Sequence, residues 1–304
     1  MARRIAREII GAPTFAKPAG SPRLRSAIRV VPRRRRPTVV ATVGGVSTVA
    51  VSELSIAVVK GMRLAHPESA FVGEDGIPED RRFFVVAADG RQYGAPLGPL
   101  KAVVATVEDG RLHLRFPDGN VTEGPIALGD AASGRVTWDD DRPAPGRRVE
   151  GPFADALSAY LGERVELLEG TDRRRGIDVT PVTLLGDGSV SRLERELGTP
   201  LGARRFRMTI TLGGLEPHEE DTWYGRAIEV GGCRLRVSGP VPRCVATTHD
   251  PRTGVRDHAT LRGIVAYRDP IEAPDGELVK APFGVYATVE RAGTVRVGDA
   301  ARPG

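Results

Sequence analysis

The stretch Ala227-Ile-Glu-Val-Gly-Gly-Cys-Arg-Leu-Arg-Val237 contains two of the short apolar runs from which the fold class follows. Residues 227–230 and 234–237 are predicted strands, as are residues 206–212 and 286–290. Many short strands separated by turn residues are typical of closed or nearly closed sheets. The C-terminal half is therefore predicted to be a β-barrel with a few helices.

The N-terminal half is also predicted to be rich in short strands. Asp109-Gly110 is a hairpin signal between two apolar runs. Residues 139–148 are too polar and Pro-rich for a core, and we predict a loop there. Helices are predicted over residues 153–161, ending at Gly162, and from about Ser189 to Gly198. The chain as a whole is thus predicted to be mainly β with a few helices (α+β). The remaining predicted strands are residues 55–59, 83–87, 102–107, 112–116 and 136–138.

Composition limits the class of protein. A chain of 304 residues with 40% hydrophobic content can bury a substantial core in one or two domains. No apolar run approaches the roughly 20 residues that cross a bilayer, so we expect a cytoplasmic protein with no membrane partner. The two cysteines, Cys233 and Cys244, cannot build a disulfide scaffold or an ordinary iron–sulfur cluster. A redox function would therefore need an external electron donor protein or a small reductant.

The positive charge is concentrated at one end of the chain. Residues 1–40 contain 11 Lys or Arg and one acid, Glu8, which gives +10 against +5 for the whole chain. The remainder carries −5 and, with 5% aromatic residues overall, offers no nucleic-acid surface. Residues 1–47 are predicted to be a basic disordered tail. We also hypothesise that this tail is an over-extended start, upstream of a true beginning near Val49.

Cys244 is the residue most suited to chemistry. It lies in the run Gly239-Pro-Val-Pro-Arg-Cys-Val-Ala-Thr-Thr-His-Asp-Pro-Arg-Thr-Gly254. Arg243 would favour the thiolate, which is the form that attacks carbon or sulfur and binds soft metals. The prolines at 240 and 242 predict a stiff, extended segment that presents the thiol. On this local context alone, a buried structural cysteine remains an equal alternative.

Several motifs in one order resemble a known family. They are Arg205-Phe-Arg207, Glu219-Glu-Asp-Thr-Trp-Tyr-Gly225, Val230-Gly-Gly-Cys-Arg-Leu235, Arg243-Cys244 with Asp250-Pro-Arg-Thr-Gly254, Lys280-Ala-Pro-Phe-Gly-Val-Tyr286 and Gly293-Thr-Val-Arg-Val-Gly-Asp299. Together they resemble the MOSC domain, the C-terminal domain of molybdenum-cofactor sulfurases. Upstream, Leu54-Ser-Ile-Ala-Val-Val-Lys60 and Gly76-Ile-Pro-Glu-Asp-Arg-Arg-Phe-Phe84 resemble the β-rich module that precedes it in amidoxime-reducing components and their bacterial relatives. The resemblance implies an N-terminal β module over 48–168 and a MOSC domain over 169–304.

The same resemblance implies a cofactor and its contacts. Cys244 matches the family cysteine that ligates molybdenum, so the implied cofactor is the molybdenum cofactor (molybdopterin). Because this cofactor carries a phosphate and an anionic dithiolene, cations and N–H donors must surround it. The cofactor-binding positions implied by the family motifs or by their neighbours are Lys60, Arg81, Ser189, Arg207, Thr209 and Arg243. Two departures stand out, because the family serine after the lysine is Gly61 and the family Pro-Asn is Met208-Thr209.

Three functions remain open at this stage. The first is a molybdenum-dependent oxidoreductase that removes oxygen from a small N-hydroxylated or related N–O or S–O substrate. The second is a persulfide sulfur carrier at Cys244, which would need a pyridoxal-phosphate-dependent partner because this chain has no such lyase part. The third is a cofactor-binding or storage module without turnover. Zinc is disfavoured because the spacings of Cys233, Cys244, His249 and His258 fit no common zinc pattern.

Overall fold

The computed structural model describes residues 49–94, 97–172, 175–273 and 276–304. The predicted basic tail of residues 1–47 therefore lies outside the described residues. The helices are α1 (Phe153–Leu161), α2 (Asp187–Leu197) and α3 (Thr260–Tyr267). The strands are β1 (Ala50–Leu54), β2 (Ser69–Val72), β3 (Phe83–Ala87), β4 (Val104–Glu108), β5 (Arg111–Arg115), β6 (Val121–Pro125), β7 (Leu128–Val136), β8 (Arg142–Val149), β9 (Val165–Gly170), β10 (Val182–Gly186), β11 (Ile210–Gly213), β12 (Ala227–Val230), β13 (Cys233–Pro242), β14 (Ile271–Glu272), β15 (Leu278–Val279), β16 (Pro282–Arg291), β17 (Gly293–Arg296) and β18 (Ala301–Pro303).

A seven-stranded sheet forms the barrel that the sequence predicts. Its strand order is β1-β11-β10-β16-β13-β12-β18. The two edges meet, because Val51 N donates to Asp299 O at 2.8 Å and Ala301 N donates to Val49 O at 2.9 Å. A bridge between Ala50 and Ala300 completes this closure, so the sheet is a nearly closed barrel. Closure removes the free edges that an open sheet exposes.

The barrel interior is filled by apolar side chains from alternating strand positions. Leu54, Leu184, Ile210, Leu235 and Val285 are all fully buried in one core cluster. Full burial of a Leu or Ile side chain contributes about 1.5–3 kcal/mol, so this cluster is a main source of stability. The predicted fold class, mainly β with a few helices, is confirmed.

A second core belongs to the N-terminal half. It collects residues of β3, β4, β5 and β9 under α1, with Phe83, Leu112, Phe153 and Leu167 almost fully buried. Here the sheets are β3-β9-β8-β7 and β4-β5-β6. The proposed domain boundary between residues 168 and 169 stays a prediction.

Local predictions succeeded where turn chemistry is strong. Asp109 and Gly110 both have positive φ, 49° and 72°, and join Glu108 to Arg111 as a two-residue hairpin. Both predicted helices are present, and Gly162 and Gly198 end them in the left-handed conformation. The longest helix of the described residues is α2, which at 11 residues is too short to span a bilayer.

The predicted loop at residues 139–148 is wrong, because β8 runs through most of it. Pro143 and Pro145 pair with Arg135 and Ser133 of β7, whereas pairing with β9 begins only at Gly146. The prolines thus occupy the part of β8 that has a neighbouring strand on one side only, where a missing N–H costs no ladder bond. The separate strand predicted over residues 136–138 is also not found, because β7 ends at Val136.

Candidate active site

Cys244 follows the end of β13 and precedes a short 3₁₀ turn, Val245–Thr248. Its backbone is extended, with φ −114° and ψ 179°, and the predicted extended segment before it is the end of β13. The residue is exposed and its thiol is free, whereas Cys233 is free but buried in the barrel. This exposure favours a chemical role over the structural alternative that the sequence left open.

A pocket of about 830 Å³, including its open mouth, surrounds Cys244. Five of the described residues that line it are cations, namely Lys60, Arg81, Arg205, Arg207 and Arg243. Asp178 is the one acidic residue among those described along its wall. The first two cations come from the N-terminal half and the others from the barrel half, so the pocket forms where the two halves meet.

Lys60 is held by two neutral or acidic partners. Its Nζ donates to Asp178 Oδ1 at 2.5 Å and to Gln92 Oε1 at 2.7 Å. The lysine side chain is only 6% exposed, compared with 47% for Asp178. Burial lowers the pKa of Lys60, and the Asp178 carboxylate opposes that effect. A second anion near this ammonium would therefore be stabilising.

Arg81 and Arg207 face each other across the junction. Arg81 Nη2 donates to the Arg207 carbonyl at 3.2 Å and Arg207 Nη2 donates to the Met62 carbonyl at 2.7 Å. Both residues have positive φ, 51° and 57°, a conformation that costs a non-glycine residue about 1–2 kcal/mol. Burial lowers the pKa of Arg207 to about 10. Strained backbone at two arginines that are hydrogen-bonded to each other marks this junction as a candidate functional site.

Two guanidinium groups in the pocket keep unused donors. In the described part of the chain, four buried side-chain N or O atoms lack a hydrogen-bond partner, and Arg205 Nε and Arg207 Nη1 are two of them. Buried donors are nearly always satisfied in proteins. These two N–H groups are therefore suited to an acceptor that the polypeptide does not supply.

Arg243 lines the pocket, but its side chain is turned into the protein. It donates to the carbonyls of Phe283 and Phe206, at 2.8 and 3.0 Å, and to Met208 Sδ at 2.5 Å. Burial lowers its pKa to about 10. Its contacts anchor the residue that precedes Cys244 to Phe206, Met208 and Phe283, and its charge remains close to the thiol.

Thr209 lies on the pocket wall beside Thr183. The two hydroxyl oxygens are 3.2 Å apart, and each accepts the other residue's backbone N–H, at 2.9 and 3.3 Å. One hydroxyl proton joins the pair and the other remains available to the pocket. The threonine pair therefore presents a hydroxyl donor where the family pattern has an amide.

Ser189 is not brought to this pocket. It is fully buried in the first turn of α2, and its Oγ lies 2.7 and 2.9 Å from the two carboxylate oxygens of Glu220. The same oxygen accepts the His218 N–H at 2.8 Å. These contacts tie the 216–223 segment to α2, and they offer no support for the predicted cofactor contact.

The structure adds site residues that the sequence reasoning did not assign. Asp178 pairs with Lys60, and Tyr286 and Arg205 line the pocket although they were quoted only as motif letters. Burial raises the pKa of Tyr286 to about 12, so its phenol stays protonated at neutral pH. Asp178 lies 118 residues from Lys60, and nothing in local sequence indicates that pairing.

Comparisons with known proteins show which family and which proteins this chain is similar to. The MOSC domain family matches residues 171–302. Mitochondrial amidoxime reducing component 2 of Rattus norvegicus is 28% identical over 89% of this chain and 86% of its own length. The Homo sapiens protein of that name is 35% identical over 40% of this chain and 36% of its own length. Among solved structures, the YUAD protein from Bacillus subtilis aligns over 84% of this chain and 94% of its own, with 13% identity and a TM-score of 0.40.

The family match covers β10 through β17 and most of β18, and therefore includes Cys244 and most of the pocket wall. The relative from Rattus norvegicus, which aligns over 89% of this chain, also matches much of the N-terminal half, from which Lys60 and Arg81 come. The chain thus contains a MOSC domain over residues 171–302 and is similar, over most of its length, to the mitochondrial amidoxime reducing components.

Proposed function

We propose that this chain is an oxidoreductase that holds the molybdenum cofactor (molybdopterin) in the pocket, with Cys244 as the protein ligand to molybdenum. The observation that carries the proposal is an exposed thiol at a pocket lined by five cations, two of which keep buried N–H groups that have no partner in the part of the chain that the structure describes. The relatives named amidoxime reducing components make a reductase the favoured activity.

The donor set fits this cofactor. A thiolate is a suitable ligand for a thiophilic metal. A phosphate and a dithiolene are anionic, and guanidinium groups form strong, directional hydrogen bonds with such acceptors. Arg205 Nε and Arg207 Nη1 are two of the buried donors that have no partner among the described residues. In this proposal Lys60, Arg81 and Arg207 bind the anionic parts, Thr209 with Thr183 offers a hydroxyl, and Arg243 positions the backbone around Cys244.

The substrate class is proposed from the relatives' printed names and from the pocket. An N-hydroxylated substrate would lose its oxygen as water, taking up two electrons and two protons. The bound molybdenum would supply the two-electron chemistry, and an external electron donor protein or small reductant would restore it. The half-exposed Asp178 and the phenol of Tyr286 are polar groups of the pocket wall that could contact a small polar substrate. Cytoplasmic location, and the absence of membrane and nucleic-acid partners, stay predictions.

Molybdenum content tests the proposal. Wild type, Cys244→Ser and Cys233→Ser are purified from a host that makes the cofactor, and molybdenum per chain is measured by mass spectrometry. We expect near-stoichiometric metal in wild type and a loss of most of it in Cys244→Ser. Cys233→Ser is the matched control because it changes the buried thiol, whose Sγ donates to the Gly293 carbonyl inside the barrel. It should keep its metal wherever it folds.

Other results would redirect the function. Wild type without molybdenum would refute the reductase and favour a persulfide carrier at Cys244, detectable as a sulfur mass shift on that residue. Stoichiometric metal together with no reduction of any N-oxygenated substrate would favour a storage module.

A further inference from the structure

Arg205 is a buried arginine whose contacts converge on the backbone after Cys244. Its side chain is 3% exposed. Nη1 donates to the Thr247 carbonyl at 3.2 Å and to the His249 carbonyl at 2.9 Å. The two terminal nitrogens also form a bidentate pair with Asp257, at 2.8 and 3.0 Å. One guanidinium thus joins three points of the 247–257 segment.

The segment to which Arg205 is hydrogen-bonded is itself hydrogen-bonded to the Cys244 carbonyl. Thr247 uses both its backbone N–H and its hydroxyl to donate to the Cys244 carbonyl, at 3.2 and 3.0 Å. Thr260, at the start of α3, donates its hydroxyl to the Thr247 carbonyl at 2.8 Å. The Thr247 carbonyl therefore accepts hydrogen bonds from Arg205 and Thr260, while the N–H and hydroxyl of Thr247 restrain the Cys244 carbonyl.

Asp257 completes the arrangement from the other side. Its N–H donates to the Thr248 carbonyl at 3.0 Å, and its carboxylate orients Arg205. A bidentate Arg–carboxylate pair fixes the guanidinium plane in a way that a lysine cannot. The whole set, Arg205, Asp257, Thr247 and Thr260, is here called the turn clamp.

We infer that the turn clamp is the device that positions the Cys244 sulfur for metal binding, with Asp257 as a positioning residue that acts through Arg205, which itself also lines the pocket. The inference rests on the proposed function, because it assigns the clamp to the ligand of the proposed metal. Neither Asp257 nor Thr260 lines the pocket, so each acts on the thiol only through the turn. A ligand sulfur must be held closely in place for its metal to be retained.

The test uses Asp257→Asn, with Asp221→Asn as its matched control. Asp221 also pairs with an arginine whose side chain is 7% exposed, since Arg268 Nη2 donates to it at 2.5 Å, but among the described residues neither member of this pair is hydrogen-bonded to the 244–249 turn. Amide hydrogen exchange is measured on metal-free full-length protein, and molybdenum per chain is measured after dialysis of cofactor-loaded protein. Arg205→Lys is the second variant, because it keeps the positive charge but cannot form the bidentate pair with Asp257.

In Asp257→Asn and Arg205→Lys we expect exchange over residues 244–249 to accelerate about tenfold or more, because hydrogen bonds to charged groups hold this turn. Barrel strands should exchange at wild-type rates, and retained molybdenum should fall by at least about half. Asp221→Asn should leave both readouts in the wild-type range.

Three results would overturn the inference: unchanged exchange over 244–249, equal acceleration across the whole chain or in the control, and faster exchange with full metal retention. Metal-free wild type would instead refute the proposed function, and the exchange measurement would still decide whether the clamp holds the turn.

Discussion

Removing the hydroxyl of Ser189 should destabilise the protein without emptying the pocket. Ser189→Ala deletes a hydrogen bond to the buried Glu220 carboxylate, for which about 1.5–3 kcal/mol is typical, and one from the His218 N–H, for which about 0.5–1.5 kcal/mol is typical. The N–H of Gly186, at 3.3 Å, would remain as a weaker donor to the carboxylate. We therefore expect a loss of about 2–4 kcal/mol in the free energy of unfolding at pH 7.

The pH dependence of that loss has a definite sign. Burial raises the pKa of Glu220 above its usual 4.5, and the Ser189 hydroxyl partly opposes the shift. Without the hydroxyl the folded pKa rises further, so the folded state binds more protons than the unfolded state as the pH falls toward 4.5. Stability is thereby gained on acidification, and more so in the variant. The difference from wild type should shrink between pH 7 and pH 5.

Urea unfolding at pH 7 and pH 5, followed by circular dichroism, measures these differences. Ser191→Ala is the control, since it lies exposed on the same helix and should change stability by less than about 0.5 kcal/mol. Molybdenum content of cofactor-loaded Ser189→Ala should equal that of wild type. A stable variant that has lost its metal would refute the reasoning and restore Ser189 as a cofactor contact.

Gly284→Ala should destabilise by about 2 kcal/mol or more, because φ is +79° and a Cβ would lie 2.6 Å from Met208 Cε and 2.7 Å from the Leu184 carbonyl. Gly276 has a similar φ, but a Cβ added there would meet no atom within 4 Å. Thermal unfolding of Gly276→Ala should therefore show a loss of only about 1 kcal/mol in stability. Equal losses in the two variants would show that the clash at Gly284 contributes nothing. Lys101 is buried, and burial lowers its pKa from 10.5 to about 7. Between pH 7 and pH 10.5 the unfolded state therefore binds more protons than the folded state. The free energy of unfolding should rise by about 2 kcal/mol from pH 7 to pH 9. Lys101→Met should flatten that rise in urea titrations, and a wild-type curve with no rise would contradict the assignment.

The candidate site was predictable where motif letters carry their own chemistry. Cys244, Lys60, Arg81, Arg207 and Thr209 all line one pocket, although up to 184 residues separate them in the chain. Their association came from the ordered motifs rather than from any local property. Ser189 is the exception, since it does not line the pocket and its hydroxyl is hydrogen-bonded to the buried Glu220 carboxylate.

What could not be predicted depends on long-range pairing. The pairs Lys60–Asp178 and Arg205–Asp257 join residues 118 and 52 positions apart, and neither acid lies in a segment that carries a chemical signal. Similarly, the Pro-rich composition of β8 argued for a loop, since a sequence does not say that only one neighbour pairs with residues 142–145. Turn signals such as Asp109-Gly110 succeeded because two residues contain the whole cause.

The seam of the barrel has a consequence for how the protein is made. Strand β1 bonds residues near Ala300, so the two sides of this seam are about 250 positions apart in the chain. During synthesis, β1 has no partner at this seam until residues 299–301 have left the ribosome. Contacts of such long sequence separation slow folding, and unpaired edges attract other strands. The interval before the seam closes is therefore the period in which a nascent chain of this fold most needs a chaperone.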